Sequence, residues 1–201
     1  MAVSKQKIRP SKRQEHRIPN LRKAPDVTSH FSATHYNINM TDQQKEFLHL
    51  CVVEQTDYKT IAQKLNVPNS TLAQWYEELK EERLKIAESR NLWTRKKIKM
   101  PFGDFYKWYL SHERKCFYCD ITEQEIKELL DSGRLTTKRI ATRGRKLELD
   151  RKQPDLEYDN FDNIVFACYW CNNAKTDTFT EEEFKKIGQV FKEIWKIRLG
   201  K

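Results

Sequence analysis

Two Cys-x-x-Cys pairs, Cys116 with Cys119 and Cys168 with Cys171, constrain this chain more than any other feature. In each pair a tight turn can bring two thiolates to one ion, and 48 residues separate the pairs. Together they complete a tetrahedral zinc shell, which is closed and redox-inert, so its role is to fold a small domain. A redox-active dithiol needs one pair and leaves the second without a purpose. The fifth cysteine, Cys51, lies in the apolar helical context "EFLHLCVVEQ" and reads as a small core residue. The opening "MAVSKQKIRPSKRQEHR" is basic but has no apolar segment, so no secretory signal is expected. Without one, disulfides are not expected and a cytoplasmic location is the default. No apolar run approaches the ~20 residues of a membrane helix.

The net charge of +9 is unevenly spread over the 201 residues. Residues 1–40 hold eight Lys/Arg against two Asp/Glu, whereas residues 41–98 hold ten against nine and residues 99–201 twenty against eighteen. Pro10, Pro19 and Pro25 interrupt the first 40 residues, which show no sustained apolar period and read as a basic, mostly disordered arm. A basic arm on a near-neutral body suits nucleic acid, because lysine and arginine displace counterions from phosphates. A solubilising tail is the plainer alternative.

Residues 41–98 read as an all-α module. Thr41 with Gln44 starts a helix whose apolar stripe is Phe47, Leu48, Cys51 and Val52. Further on, Ile61, Ala62 and Leu65 share one face of a short helix. "NVPNS" then interrupts it, with Asn69 or Ser70 able to cap the next helix and Leu72, Trp75 and Leu79 forming its stripe. This pattern resembles the helix-turn-helix family: apolar Ile61, small Ala62 at the helix crossing, Leu65, turn residue Asn66, buried Val67, then Leu72 and Trp75. Asn66 stands where glycine is more frequent, and asparagine tolerates the left-handed conformation. The resemblance implies that Asn69, Ser70, Thr71 and Gln74 face the major groove of DNA, Asn69 and Gln74 having the donor–acceptor pairs suited to adenine. An ordinary helical hairpin is the alternative.

Pro101 after the basic run "TRKKIKM" marks a boundary, and residues 99–201 read as a small α+β domain. Phe102, Phe105, Trp108 and Tyr109 lie on one helical face and are expected to pack this domain. "ITEQEIKELLDSG" is a short amphipathic helix closed by Gly133. "RLTTKRIATRGRKLELD" suggests two short strands turned at "TRGR", and "NIVFAC" a further strand. A helix is expected to begin at "CNNAKTD", and "TEEEFKKIGQVFKEIWKIRL" is an amphipathic helix with an acidic first turn.

"LELD", "DNIVFAC" and "CNNAK" together resemble the HNH endonucleases, whose site is a ββα-metal fold, over roughly residues 102–180. Many members wrap that site with two Cys-x-x-Cys pairs. The resemblance implies that Asp150 is the first ligand of a catalytic divalent ion, Asn163 the loop asparagine and Asn172 the ligand from the helix. Lys175 falls in the family's "CN..K" ending and could neutralise phosphate. It further implies Mg²⁺ or Mn²⁺, double-stranded DNA as partner, and 5′-phosphate and 3′-hydroxyl ends. A hard cation suits the oxygens of Asp150 and Asn172.

The family places its general base, a histidine, directly after the first ligand, but here Asp150 is followed by Arg151. Arginine stays protonated and cannot accept a proton. A variant of the family reads Asp-Arg with a tyrosine in the loop, which here is Tyr158 in "DLEYDNFDN". An ordinary tyrosine ionises near pH ~10, so a base role needs neighbouring positive charge. His112 is expected to be exposed or outside the reacting shell. The expected protein is an endonuclease of restriction, homing or phage type, and a symmetric target would call for a homodimer. Two alternatives stand beside it: a catalytically inactive, zinc-containing DNA-binding protein or regulator, and a zinc-stapled interaction adaptor.

Overall fold

The structure, a computed structural model, describes residues 40–138 and 143–201. The basic arm, apart from Met40, and residues 139–142 lie outside the described residues. No helix among those described is long and apolar enough to cross a membrane.

Thr41 and Gln44 form the expected capping box at the start of α1 (Asp42–Leu48), satisfying two backbone N–H groups that a helix end leaves open. The helix then widens into a π-turn over His49–Val53, closed by the Glu54 N–H on the His49 carbonyl at 2.9 Å. This wider turn shifts the apolar stripe. Leu50 and Val53 become the buried residues after Leu48, while Cys51 and Val52 of the predicted stripe are half-buried against the core.

Asp57 caps α2 (Tyr58–Leu65), and Asn66 ends it in the left-handed region at φ 54°, ψ 47°. The next helix, α3 (Asn69–Glu78), begins one residue earlier than expected. Its cap is Pro68, with no side-chain bond, in place of Asn69 or Ser70. Proline's fixed φ suits the entry to a helix and it lacks the N–H that would go unpaired there. Ile61 and Leu72 are buried between the two helices, and Phe47 meets Trp75 and Tyr58 at ring-centroid distances of 5.8 and 6.1 Å. Leu79 breaks the helix direction and α4 (Lys80–Arg95) follows.

The aromatic helix α5 (Phe102–Ser111) packs in two directions rather than one. At its start Phe102 meets Trp93 at 5.8 Å and lies under the Arg90 guanidinium at 3.8 Å. The same guanidinium bonds the Val52 and Val53 carbonyls at 2.6 and 3.0 Å, satisfying acceptors at the end of the π-turn. At its other end Trp108 and Tyr109 meet Phe166 at 5.1 and 5.5 Å. α5 thus packs against both the preceding helices and the strand that carries Phe166.

In the second half α6 (Glu123–Asp131) starts on a Thr122–Glu125 capping box and turns back through Gly133 at φ 69°. β1 (Glu148–Arg151) pairs antiparallel with β2 (Ile164–Ala167), Asp150 opposite Val165 and Arg151 opposite Ile164. Among the described residues no strand precedes β1, and the first strand of the hairpin expected at "TRGR" falls in part on residues 139–142, outside the described residues. From Arg143 onward side chains hold the approach to β1: Arg143 grips Glu148 through two bonds of 2.9 and 2.6 Å, and the Leu147 N–H donates to Glu123 at 2.8 Å. α7 (Tyr169–Lys175) starts two residues before the expected point because the Cys168 sulfur caps it. α8 (Glu181–Leu199) has its own Thr180–Glu183 capping box and closes at Gly200, φ 74°. The mixed architecture is helices with a small antiparallel β-pair, in keeping with the α+β expectation.

Candidate active site and zinc centre

The four paired cysteines are buried together, with their sulfur atoms within 4.8 Å of one another. Tetrahedral zinc with bonds of ~2.3 Å sets sulfurs about 3.8 Å apart. Cys119 Sγ and Cys168 Sγ stand 3.7 Å apart, so the donor set and its spacing fit zinc. The first pair sits in a knuckle closed by Asp120 N–H on the Cys116 carbonyl at 2.8 Å, with Asp120 in the left-handed region at φ 59°. The second pair opens α7. Hydrogen bonds from Cys119, then Cys168 and Cys171, pull the Cys116 thiol far below its usual range, while bonding to Cys116 pushes Cys168 and Cys171 far above theirs. One thiolate is favoured and its neighbours are penalised; a divalent cation removes that penalty by neutralising the shared charge.

Two links tie this cage to β1 and β2. The Phe117 N–H donates to the Phe166 carbonyl at 2.8 Å. The next residue, Tyr118, donates its hydroxyl to Asp150 Oδ2 at 2.8 Å, with both side chains buried. Burial, aided by the Asp150 charge, pushes the Tyr118 phenol well above its usual range, which keeps it a donor. α8 presses on the same knuckle: Tyr118 meets Phe184 edge-on at 5.1 Å, and a Cβ at Gly188 would lie 2.4 Å from the Tyr118 carbonyl oxygen.

Glu148 and Asp150, two apart on β1, share a face of the strand and meet α7. The Asn172 Nδ2 donates to Glu148 Oε2 at 2.6 Å, which turns Asn172 Oδ1 away from that carboxylate. Burial alone would raise the Glu148 carboxyl, but bonds from Arg143 and Asn172 outweigh it and hold the group below its usual range. Asp150, 6 % exposed, is raised above its usual range by burial, with Tyr118 and the Lys175 charge opposing the shift. Tyr118 and Lys175 both approach Oδ2.

Lys175 departs from expectation. It is 0 % exposed, donates to the Arg151 carbonyl at 2.7 Å and lies 3.5 Å from Asp150 Oδ2. A buried ammonium without partners is costly, and these acceptors explain its inward position. Lys175 is therefore a buried counterion that joins α7 to β1. Asn163 has a comparable internal role, taking the Gln153 N–H on Oδ1 at 2.8 Å and donating Nδ2 to the Gln153 carbonyl at 3.3 Å. Those two bonds cinch the loop between the strands.

On that loop Tyr158 accepts a bond from Lys96 Nζ at 3.0 Å and donates to the Leu149 carbonyl at 3.3 Å. The Arg151 guanidinium carbon lies 5.3 Å from the Tyr158 ring centroid, and Arg151 also donates to the Leu156 carbonyl at 3.1 Å. Asp150, Arg151, Tyr158, Asn172, Lys175 and Lys96 all line one small cavity of about 180 Å³. Asn69, Ser70, Thr71 and Gln74 lie apart on α3; Thr71 is half-buried, the other three are exposed, and Gln74 donates to Glu78 at 2.6 Å. His112 is exposed at the end of α5, its ring tilted against Trp108 with the centroids 4.6 Å apart.

No protein-family model and no curated protein matches this chain. Among solved structures it is similar to the rare-cutting HNH restriction endonuclease PacI, at 25% identity over 56% of this chain and 77% of that one, with a TM-score of 0.43.

Three residues of the centre have no counterpart in the sequence expectations. Glu148 was accessible through strand alternation with Asp150. Tyr118 lies between Cys116 and Cys119, inside a pair whose sulfurs carry the stronger signal. Lys96 is one of several cations in "TRKKIK", and nothing local distinguishes it from its neighbours.

Proposed function

We propose that this protein is a metal-dependent DNA endonuclease with an HNH-type site built on β1, β2 and α7. The observation that carries the reading is the cavity that gathers Asp150, Asn172 and Tyr158 beside a four-cysteine cage. Its donor set fits a hard cation: a carboxylate whose two side-chain partners both occupy Oδ2, and an amide held by Glu148 so that its oxygen is turned elsewhere. When bound by Asp150 and Asn172, Mg²⁺ or Mn²⁺ supplies charge neutralisation at the scissile phosphate and at the leaving 3′ oxygen. Tyr158 is the residue placed to accept the proton of the attacking water. Lys96 at 3.0 Å and the Arg151 guanidinium provide the neighbouring positive charge that such a base requires. Asn163 and Arg151 fix the loop on which Tyr158 rides. The fitting partner is double-stranded DNA, with α3 reading bases through Asn69, Ser70, Thr71 and Gln74 and the basic arm contacting phosphates. The products are 5′-phosphate and 3′-hydroxyl ends, and a symmetric target requires a homodimer.

Arg151 in the usual histidine position favours a second reading, a DNA-binding protein that no longer cuts. Incubation with mixed-sequence DNA and Mg²⁺ or Mn²⁺, followed by sequencing of new ends, separates the two. Ends that require metal and vanish with Asn172→Ala, at unchanged zinc content, establish the nuclease. Tight binding without ends leaves the non-cutting protein.

A further inference from the structure

Seven large apolar side chains stay exposed among the described residues, and four of them, Ile187, Val190, Ile194 and Ile197, lie on α8. Spacings of three, four and three residues put them on one stripe of the helix, the pattern of a two-helix seam. They are 39, 57, 38 and 78 % exposed. Phe184, Gly188 and Trp195 turn a separate face of the same helix to Tyr118 and Trp170. α8 therefore carries two apolar faces, where a surface helix that packs only on its own chain needs one. Charged residues border the open stripe: Lys186 and Glu193 on one side, Arg198 on the other, all exposed. Glu193 makes no ion pair among the described residues, and Arg198 donates to the Arg134 carbonyl at a long 3.4 Å. Glu183, the next position of the stripe toward the start of the helix, folds back to accept the Thr180 N–H at 2.9 Å, so its charge is turned off the seam.

We infer that α8 pairs with α8 of a second copy, side by side and parallel, and that this stripe is the homodimer surface of the chain. A stripe on one helix is complementary to itself about a two-fold axis, so an identical chain presents the matching residues. Charge sets the direction. In a parallel pair, Glu193 on one flank meets Arg198 on the facing flank of the other copy, and the two-fold axis makes this ion pair twice. In an antiparallel pair centred on the same four residues, Glu193 would oppose the second copy's own Glu193, a like-charge contact. Two such stripes with their flanking stems bury on the order of 1,000–1,200 Å², the low end of specific interfaces, which points to micromolar pairing. Because the other face of α8 is seated on the zinc knuckle, pairing through the stripe holds two zinc domains in a fixed relation. The inference is independent of the nuclease reading.

Sedimentation velocity of the full, zinc-loaded chain tests this, in reductant and without DNA, from about 1 to 100 µM. The wild type should pass from monomer to dimer across that range. Val190→Asp with Ile197→Asp should hold the chain monomeric throughout, a loss of about 100-fold or more in affinity, since four aspartates would meet in the seam. Both positions are exposed, so the melt of the dilute protein should be unchanged, which separates loss of pairing from loss of fold. Glu193→Arg sets arginine against Arg198 and should weaken pairing by about tenfold, and adding Arg198→Glu should restore it. A wild type that stays monomeric at about 100 µM overturns the inference and leaves the stripe to a different partner. A dimer that survives the aspartates overturns it too, because that dimer is built on another surface. A dimer lost with the aspartates but indifferent to Glu193→Arg sustains the α8 surface and overturns the parallel arrangement.

Discussion

Tyr118→Phe removes one oxygen and leaves the ring in its edge-on contact with Phe184 at 5.1 Å. The hydroxyl it deletes is one of two side-chain partners on Asp150 Oδ2, the other being Lys175 at 3.5 Å. Asp150 is 6 % exposed, so bulk water cannot replace the lost donor freely. A hydrogen bond to a charged group contributes about 1.5–3 kcal/mol. In a chain of this size 1 kcal/mol corresponds to about 2–4 °C, so the melting temperature should fall by about 3–12 °C. Zinc content should be unchanged, since no cysteine is touched, while DNA cleavage should fall because Asp150 loses the bond that aims it. The decisive comparison repeats the substitution in an Asp150→Ala background. There the hydroxyl has no carboxylate to serve, and its removal should be neutral or stabilising. The same loss of stability in both backgrounds would refute the reasoning, because it would place the cost in the packing of the ring.

Gly188→Ala puts a Cβ 2.4 Å from a backbone oxygen of the knuckle, a contact that requires a shift of α8. Overpacking of about 1–3 kcal/mol should exceed the ~1 kcal/mol that alanine contributes to a helix, so the melt should fall; a rise would mean that α8 is not seated there. Cys168→Ser removes a zinc ligand while leaving a hydroxyl able to cap α7, so circular dichroism should show the C-terminal half unfolding through loss of the metal alone. A normal melt without bound zinc would contradict the staple. Lys96→Met keeps the aliphatic stem and deletes the cation 3.0 Å from Tyr158. Cleavage should fall by about tenfold or more while zinc content and melt hold, and full activity would take Lys96 out of the centre.

What could be read from sequence was whatever depends on neighbours along the chain. The Thr41–Gln44 box, the left-handed Asn66, the acidic start of α8 and the two cysteine pairs are local signals, and each is present in the structure. The stripe through Cys51 and Val52 misled because a π-turn changes the helical phase, and periodicity assumes that the phase is kept. The strand expected before "TRGR" falls in part outside the described residues, while the approach to β1 is held by bonds among Arg143, Glu148, Glu123 and the Leu147 N–H that no propensity encodes. At the site, Asp150, Arg151, Tyr158 and Asn172 were named together through the resemblance to the HNH endonucleases, and they line one cavity. The burial of Lys175 did not follow from that resemblance, since it depends on how far α7 sits from the Arg151 carbonyl. Lys96 reaches Tyr158 across 62 positions of sequence, a relation that only tertiary packing creates.

The arginine at position 151 gains a physical rationale from these contacts. A histidine there would offer a base from the strand itself. Arg151 instead turns its guanidinium to the Leu156 carbonyl and the Tyr158 ring, while its own carbonyl receives Lys175. Its three interactions therefore build the loop that presents Tyr158 and lock α7 to β1. On the proposed reading, arginine and tyrosine form one arrangement: the residue beside the metal ligand gives up proton transfer and positions the residue that performs it. The zinc cage belongs to the same arrangement. Asn172 directly follows the ligand Cys171, and Tyr118 lies between Cys116 and Cys119 with its hydroxyl on Asp150. Loss of zinc would therefore disturb both proposed ligands of the catalytic ion at once. A structural metal remote from the chemistry in role is close to it in covalent and hydrogen-bonded distance, so stability and activity should fail together when the cage opens.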